Sequence, residues 1–274
     1  MLTMCKILKV SRSGYYKYLA HTPSKREIEN KVIKEYIQDI HSQFKQCYGY
    51  RRIKCELDAR GIVVNHKRVY RLMKECNISG KHPRKKHGNY KKVKEELIKE
   101  NLLMQNFSVD GKNKTWVGDI TYIPTNEGFL YLMAYMDVYS RKIVGWSMNK
   151  KMREQLVIDA LELAIGRENP KAGLIVHTDR GSQFIGKRYQ SEIDKHGIIA
   201  SMSKPGNPYD NAIMESFNKS LKTEMLDSKN VYHTREDAKK AIFEYIELFY
   251  NRKRRHSALG YISPIEFERL NPTK

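Results

Sequence analysis

Residues 114–149 read KTWVGDITYIPTNEGFLYLMAYMDVYSRKIVGWSMN, and the period of this stretch decides the fold. Three apolar, β-rich runs, TWVGDITYIP, FLYLMAYMDVY and KIVGWSMN, are separated by turn signals at Glu127-Gly128 and Ser140-Arg141. A helix is expected over 154–167, with Leu156, Val157, Ala160, Leu161 and Ala164 on one face. Then come a short buried strand in GLIVHTD (173–179), a helix near 186–196, a last strand in IIASMS (198–203), and a helix that carries Glu215. Three strands, helix, strand, helix, strand, helix is the order of a ribonuclease-H-like α/β core, here a mixed five-stranded sheet with flanking helices.

Upstream the period is helical. Residues 1–20 suggest a short helix, a turn at Ser13-Gly14 and a further helical turn. From Ile28 the positions Val32, Ile33, Tyr36, Ile37 and Ile40 keep helical spacing. YGYRRIKCELDARG (48–61) predicts a helix closed by Gly61, and Asn65 is placed to cap a third helix bearing Val69, Leu72, Met73 and Cys76 on one face. Helix, short connector and helix with a basic outer face is the outline of a helix-turn-helix, which sets His66, Lys67, Arg68 and Arg71 as candidate DNA contacts. GKHPRKKHGNYKK (80–92) reads as a basic linker, and 93–106 as helical. The expected organisation is a DNA-binding region over 1–80, a linker with a helix over 81–113, the catalytic core over 114–230, and a helix with a basic tail over 231–274.

Charge agrees with this division. The chain of 274 residues carries a net +20, of which residues 1–113 supply +15 and residues 114–274 only +5. A basic N-terminal portion calls for a polyanion, and nucleic acid fits better than an anionic membrane because the charges are spread over several helices and turns. No apolar run approaches the roughly 18 residues of a membrane span. Four cysteines without a CxxC pair or a secretory signal read as reduced thiols, so a cytoplasmic, nucleoid-associated protein is expected.

Three acidic residues stand out by context. Asp119 interrupts a β-run, where a carboxylate is unfavourable unless it faces a site. Asp179 follows directly on LIVHT, at the carboxyl end of a strand, where open α/β sheets place ligands. Glu215 lies about one turn into its helix after the turn-rich KPGNPYDN (204–211). Should the first and fourth strands be neighbours, the three carboxylates crowd together and repel, and hard divalent cations, Mg²⁺ or Mn²⁺, resolve that repulsion. Two such ions suit in-line phosphoryl transfer. Asp137 in MDVYSR reads as structural, Asp210 as a turn or cap residue, His177 as a satisfied histidine in or near the core, and Trp116 as packing. Gln183, Asn207 and Lys219 are candidate DNA or supporting residues. Near the C-terminus, Thr234 and Asp237 form the Thr-x-x-Asp pattern of a capping box. The following stripe of Ala238, Ala241, Ile242, Tyr245, Ile246 and Phe249 is expected to pack on the core. The run Arg252, Lys253, Arg254, Arg255 suggests phosphate contact, chiefly through its three arginines.

The words around these residues resemble the D,D-E integrase and transposase superfamily, in which an interval like the 35 residues between Asp179 and Glu215 is typical. YGYRRI, VGDITYI, MDVYSRKIVGW, HTDRGSQF, KPGNPYDNAIMESF and YNRKRRHSALGYISP together resemble the OrfB-type transposases of the IS-three family, from VSRSGYY (10–16) nearly to the C-terminus. The resemblance implies a catalytic triad of Asp119, Asp179 and Glu215, with Lys222 as the basic residue that often accompanies it. It implies Mg²⁺-dependent cleavage at element ends and 3′-hydroxyl strand transfer, a homo-oligomer holding two ends, and a partner or fusion from an upstream reading frame. A DNA-binding regulator with a silent core, or a nuclease of the same fold, is the alternative.

Overall fold

The computed structural model describes residues 5, 7, 9–81, 99–104, 107–203, 211–225 and 231–272. The chain divides into two compact units, 1–81 and 82–274.

In the first unit, Ser11 caps helix α1 (Arg12–Leu19), its hydroxyl accepting from the Gly14 N–H. The Ser13-Gly14 turn read from sequence is therefore the first turn of one helix, because the cap satisfies an amide that a turn would have left to solvent. Helix α2 (Lys25–Gln43) opens with a Ser24–Glu27 capping box. Helix α3 (Tyr50–Ala59) ends before Gly61, whose φ of +79° suits glycine. Helix α4 (His66–Glu75) begins at Asn65, whose side chain accepts from the Lys67 N–H at 2.8 Å. Ile33, Ile37, Ile40, Ile53, Leu57, Val69 and Leu72 form the buried seam of these three helices.

The second unit is built on a five-stranded sheet in the order β3-β2-β1-β4-β5. Strands β1 (Thr115–Thr125), β2 (Gly128–Asp137) and β3 (Ile143–Asn149) form an antiparallel meander. Helix α5 (Glu154–Glu168) crosses to β4 (Ile175–Thr178), which pairs parallel with β1, and α6 (Lys187–Lys195) crosses to β5 (Ile199–Met202), parallel with β4. Helix α7 (Ala212–Met225) packs on β1. Helix α8 (Arg235–Phe243) starts at the Thr234–Asp237 capping box and continues into a wider π-helical turn, Glu244–Tyr250. A last helix, α9, spans Pro264–Leu270. This is the ribonuclease-H-like arrangement expected, with an all-helical region before it.

Trp116, Met133, Tyr135, Val144, Leu156, Val157, Leu161 and Val176 lie in one buried cluster between the sheet and α5. Of the C-terminal stripe, Ala238, Ile242, Tyr245, Ile246 and Phe249 are buried. The helix expected over 93–106 is not found in its described part, 99–104. There the Asn101 side chain accepts from the Leu103 and Met104 amides, a local turn that competes with helix, while the Glu100 carbonyl accepts from Met202 at the end of β5. The rest of that helix, and most of the basic linker, lie outside the described residues. Among the described residues no helix is long and apolar enough to cross a membrane, and all four cysteines are free of disulfides.

Gly145 in β3 lets α5 approach the sheet: a β-carbon there would collide with the Ala160 carbonyl and the Ala164 methyl. Gly145→Ala should therefore cost about 1–3 kcal/mol of stability by overpacking. Urea unfolding checks this, and an unchanged midpoint would show that α5 can give way.

Candidate active site

Pairing sets the geometry of the site. Thr115, Trp116 and Val117 of β1 lie beside Ile175, Val176 and His177 of β4, and in both strands the aspartate follows two residues after the last pair. Parallel pairing thus carries Asp119 and Asp179 to the same end of the sheet, the carboxyl end of β4. Helix α7 lies over β1 with Met214, Phe217 and Leu221 buried, leaving Glu215, Lys219 and Lys222 along the margin of its packed face.

Asp119 feels the other two carboxylates. Asp119 is pushed up from 3.8 to about 7, by burial first, then by the charge of Asp179 and, more weakly, Glu215; the Ile120 amide and the Asn218 side chain pull the other way. Asp179 is raised by desolvation, opposed by the Gly181 N–H that donates to its Oδ1 at 2.9 Å, and Glu215 is raised by desolvation. An all-carboxylate donor set that carries unrelieved negative charge suits a hard divalent cation. Asp119, Asp179 and Glu215 are the residues that could hold one. Among the described residues, no three His, Cys, Asp or Glu side chains already converge to ligating distance.

Two asparagines that the sequence reading did not single out hold this arrangement. Asn218 donates from Nδ2 to Asp119 Oδ2 at 2.7 Å, and Asn211 donates to the Gly118 carbonyl at 3.2 Å. Both are buried, and the carbonyl oxygen of each is buried without a hydrogen-bond partner. Their signal in the sequence is spacing: Asn211 and Asn218 are seven apart, two helical turns, and bracket Glu215.

The neighbouring candidates divide by what they touch. His177 is fully buried and hydrogen-bonds through Nδ1 with Ser201 and through Nε2 with Ser203, so neither ring nitrogen is open to a metal. Asp137 accepts from the Asn113 and Ser140 amides at 2.7 and 2.9 Å, a structural role, and Trp116 is buried with its N–H donating to Asn113. Gln183 is half-buried and donates to the Met152 carbonyl. Lys219 is exposed. Lys222 is half-buried, with its ammonium 4.4 Å from the centroid of the Tyr122 ring. Asn207 and Asp210 lie outside the described residues.

Two expectations about arginines change. Arg254 is only 4% exposed and cannot lie on phosphate: it chelates Glu224 through Nε and Nη2 at 2.7–3.1 Å and donates to Ser220, while Tyr245 also donates to Glu224. Burial works against the Arg254 charge, but Glu224 outweighs it and holds the guanidinium in its charged form. Glu224 is thus committed to Arg254. Arg255 is half-buried and donates to the Tyr261 carbonyl, which leaves Arg252 as the exposed arginine of the run. In the first unit, Arg68 is held by Glu29 at 2.6 Å and Asn30 at 2.9 Å, so it ties α4 to α2. His66, Lys67 and Arg71 are exposed, Arg71 within 3.5 Å of Glu75.

Residues 110–208 match the family described as Integrase core domain, residues 196–264 match a second family of that description, and residues 27–86 match an HTH-like domain. The chain is 47% identical over 249 residues to the transposase for insertion sequence element IS904 of Lactococcus lactis, covering 91% of this chain and 98% of that one. The chain belongs to the IS3-family insertion-sequence transposases. Transposase InsF for insertion sequence IS3A of Escherichia coli is 39% identical over 270 residues, 98% of this chain and 93% of that one. A chain of the simian T-cell lymphotropic virus intasome superposes with a TM-score of 0.48 at 17% identity, over 87% of this chain and 75% of that one. As an IS3-family transposase, the chain is an enzyme whose second unit is an integrase core.

The Arg254–Glu224 pair yields a direct prediction. Arg254→Met strands a buried carboxylate and should cost about 3–5 kcal/mol, whereas Arg252→Ala should stay within about 0.5 kcal/mol. Chemical denaturation of both variants checks this, and equal effects would show that Arg254 is solvated.

Proposed function

We propose that this transposase cuts DNA at the ends of its element and joins the freed 3′-hydroxyl to a second phosphodiester, using Asp119, Asp179 and Glu215. The observation that carries this reading is the burial of Asp119 beside the carboxyl end of β4, close enough to Asp179 and Glu215 that their charges add to the burial that brings it to about 7. The three side chains would hold Mg²⁺ or Mn²⁺ as a pair of ions, which when bound supplies activation of the attacking oxygen and charge stabilisation of the leaving one. Asn218 fixes the Asp119 carboxylate by its 2.7 Å hydrogen bond, so that group is oriented before DNA arrives. Lys219 and Lys222, from the helix that carries Glu215, would take the DNA backbone near the scissile phosphate.

The helical unit would recognise the element ends through exposed basic groups such as Lys67, His66 and Arg71, and Arg252 would add a phosphate contact. Two ends must be held together, which calls for a multimer on double-stranded DNA, with the product of an upstream reading frame as partner or fusion. Gln183, Asn207 and Arg255 remain supporting positions in this scheme.

Asp119→Asn, Asp179→Asn and Glu215→Gln should each abolish cleavage and joining of a labelled end oligonucleotide while leaving its binding nearly unchanged, because the amide keeps the shape and loses the charge. Retention of more than about a tenth of wild-type rate, only ~1.4 kcal/mol of barrier, would remove that residue from the triad. A chain that cuts without joining would be a nuclease, and one that binds without cutting a regulator.

A further inference from the structure

Beyond Asp119 along β1, and on the opposite face of that strand, the sheet presents two aromatic rings to solvent. Tyr122, three residues beyond Asp119 on β1, is 55% exposed, and Phe129 on β2 is 50% exposed. Tyr122 pairs with Tyr131 and Pro124 with Phe129, so Phe129 sits diagonally from Tyr122 on the same face. The two rings meet edge to face at 5.2 Å. The Lys222 ammonium lies 4.4 Å from the Tyr122 centroid, brought there by the helix that also carries Glu215.

One exposed aromatic is ordinary; two in contact, with a cation brought beside them by the helix that carries Glu215, are a nucleotide grip in outline. An aromatic face accepts any base, and a lysine accepts the adjoining phosphate. A duplex cannot offer a base face to a side chain, but its last pair is stacked on one side only and opens at the lowest cost. We propose that Tyr122 and Phe129 form a stacking platform for an unpaired base at the end of the element DNA, with Lys222 on the neighbouring phosphate. This rests on the strand-transfer reading above and adds a binding site to it. The platform would hold the terminal nucleotide against Lys222, on the helix that also carries Glu215.

The test is photocrosslinking of the full chain to a duplex copied from the element's end, with 5-iodouracil placed singly at terminal and at internal positions. Terminal substitution should crosslink to Tyr122 or Phe129, and internal substitution should not. Tyr122→Leu should weaken binding of a duplex with a mismatched last pair about tenfold without altering the salt dependence, and Tyr122→Phe should restore it. Lys222→Met should instead lower the salt slope by about one. Phe129→Leu serves as a second, independent variant. Crosslinks mapping elsewhere, or wild-type affinity in both leucine variants, would overturn the platform while a wild-type chain that still cuts and joins leaves the strand-transfer reading standing. Failure of the wild-type chain to bind or cut the end would overturn both.

Discussion

Parallel pairing of β1 with β4 is the constraint on which the site depends. It sets two aspartates, far apart in sequence, at the same distance beyond the last paired residues, and so commits the fold to holding like charges together. That arrangement is costly without a counterion: burial and neighbouring charge bring Asp119 to about 7, so the site is most strained where all three groups are ionised. The fold accepts this because its large apolar cluster, which spans the sheet, α5 and α6, takes nothing from Asp119, Asp179 or Glu215. Stability and chemistry are built from different faces of the same strands.

The third carboxylate depends on a second buried interaction. Glu215 belongs to α7, which is tied at one end by Asn211 and Asn218 to β1 and at the other by Glu224 to Arg254. Arg254 is itself set by the segment following the π-helical turn, where Asn251 donates to and accepts from the Ile143 backbone on edge strand β3. The C-terminal segment therefore reaches both the sheet edge and the helix that carries Glu215. A buried ion pair adds little net stability over an apolar pair of the same shape, but it specifies one register of α7.

What the sequence disclosed follows from how local each signal is. Strand period, the Asn65 cap and the Thr234 capping box are written in consecutive residues, and the structure has them where the residues place them. Asp119 and Asp179 stood out as candidates because each is a carboxylate out of place in an apolar run. Arg254 was misread because a run of four basic residues carries no mark of which one turns inward; its partner Glu224 lies 30 positions away. Asn218 was missed for a related reason, since an asparagine in a helix is unremarkable until the strand opposite it is known. The residues 99–104 lost their expected helix to a single side chain, Asn101, whose turn the apolar pattern could not report.

Burial first, and the charges of Asp179 and Glu215 second, hold the Asp119 carboxylate partly protonated, and a divalent cation in the proposed site would displace that proton. Titration calorimetry of Mg²⁺ or Mn²⁺ into the full chain, in two buffers of different ionisation heat, measures the protons released on binding. With Asp119 raised to about 7, most of the free protein carries that proton at pH 6 and must lose it to bind metal. The account predicts release of about one proton at pH 6, falling towards zero by pH 8, and none from Asp119→Asn. Equal heats in both buffers at pH 6, or an undiminished release from Asp119→Asn, would contradict it.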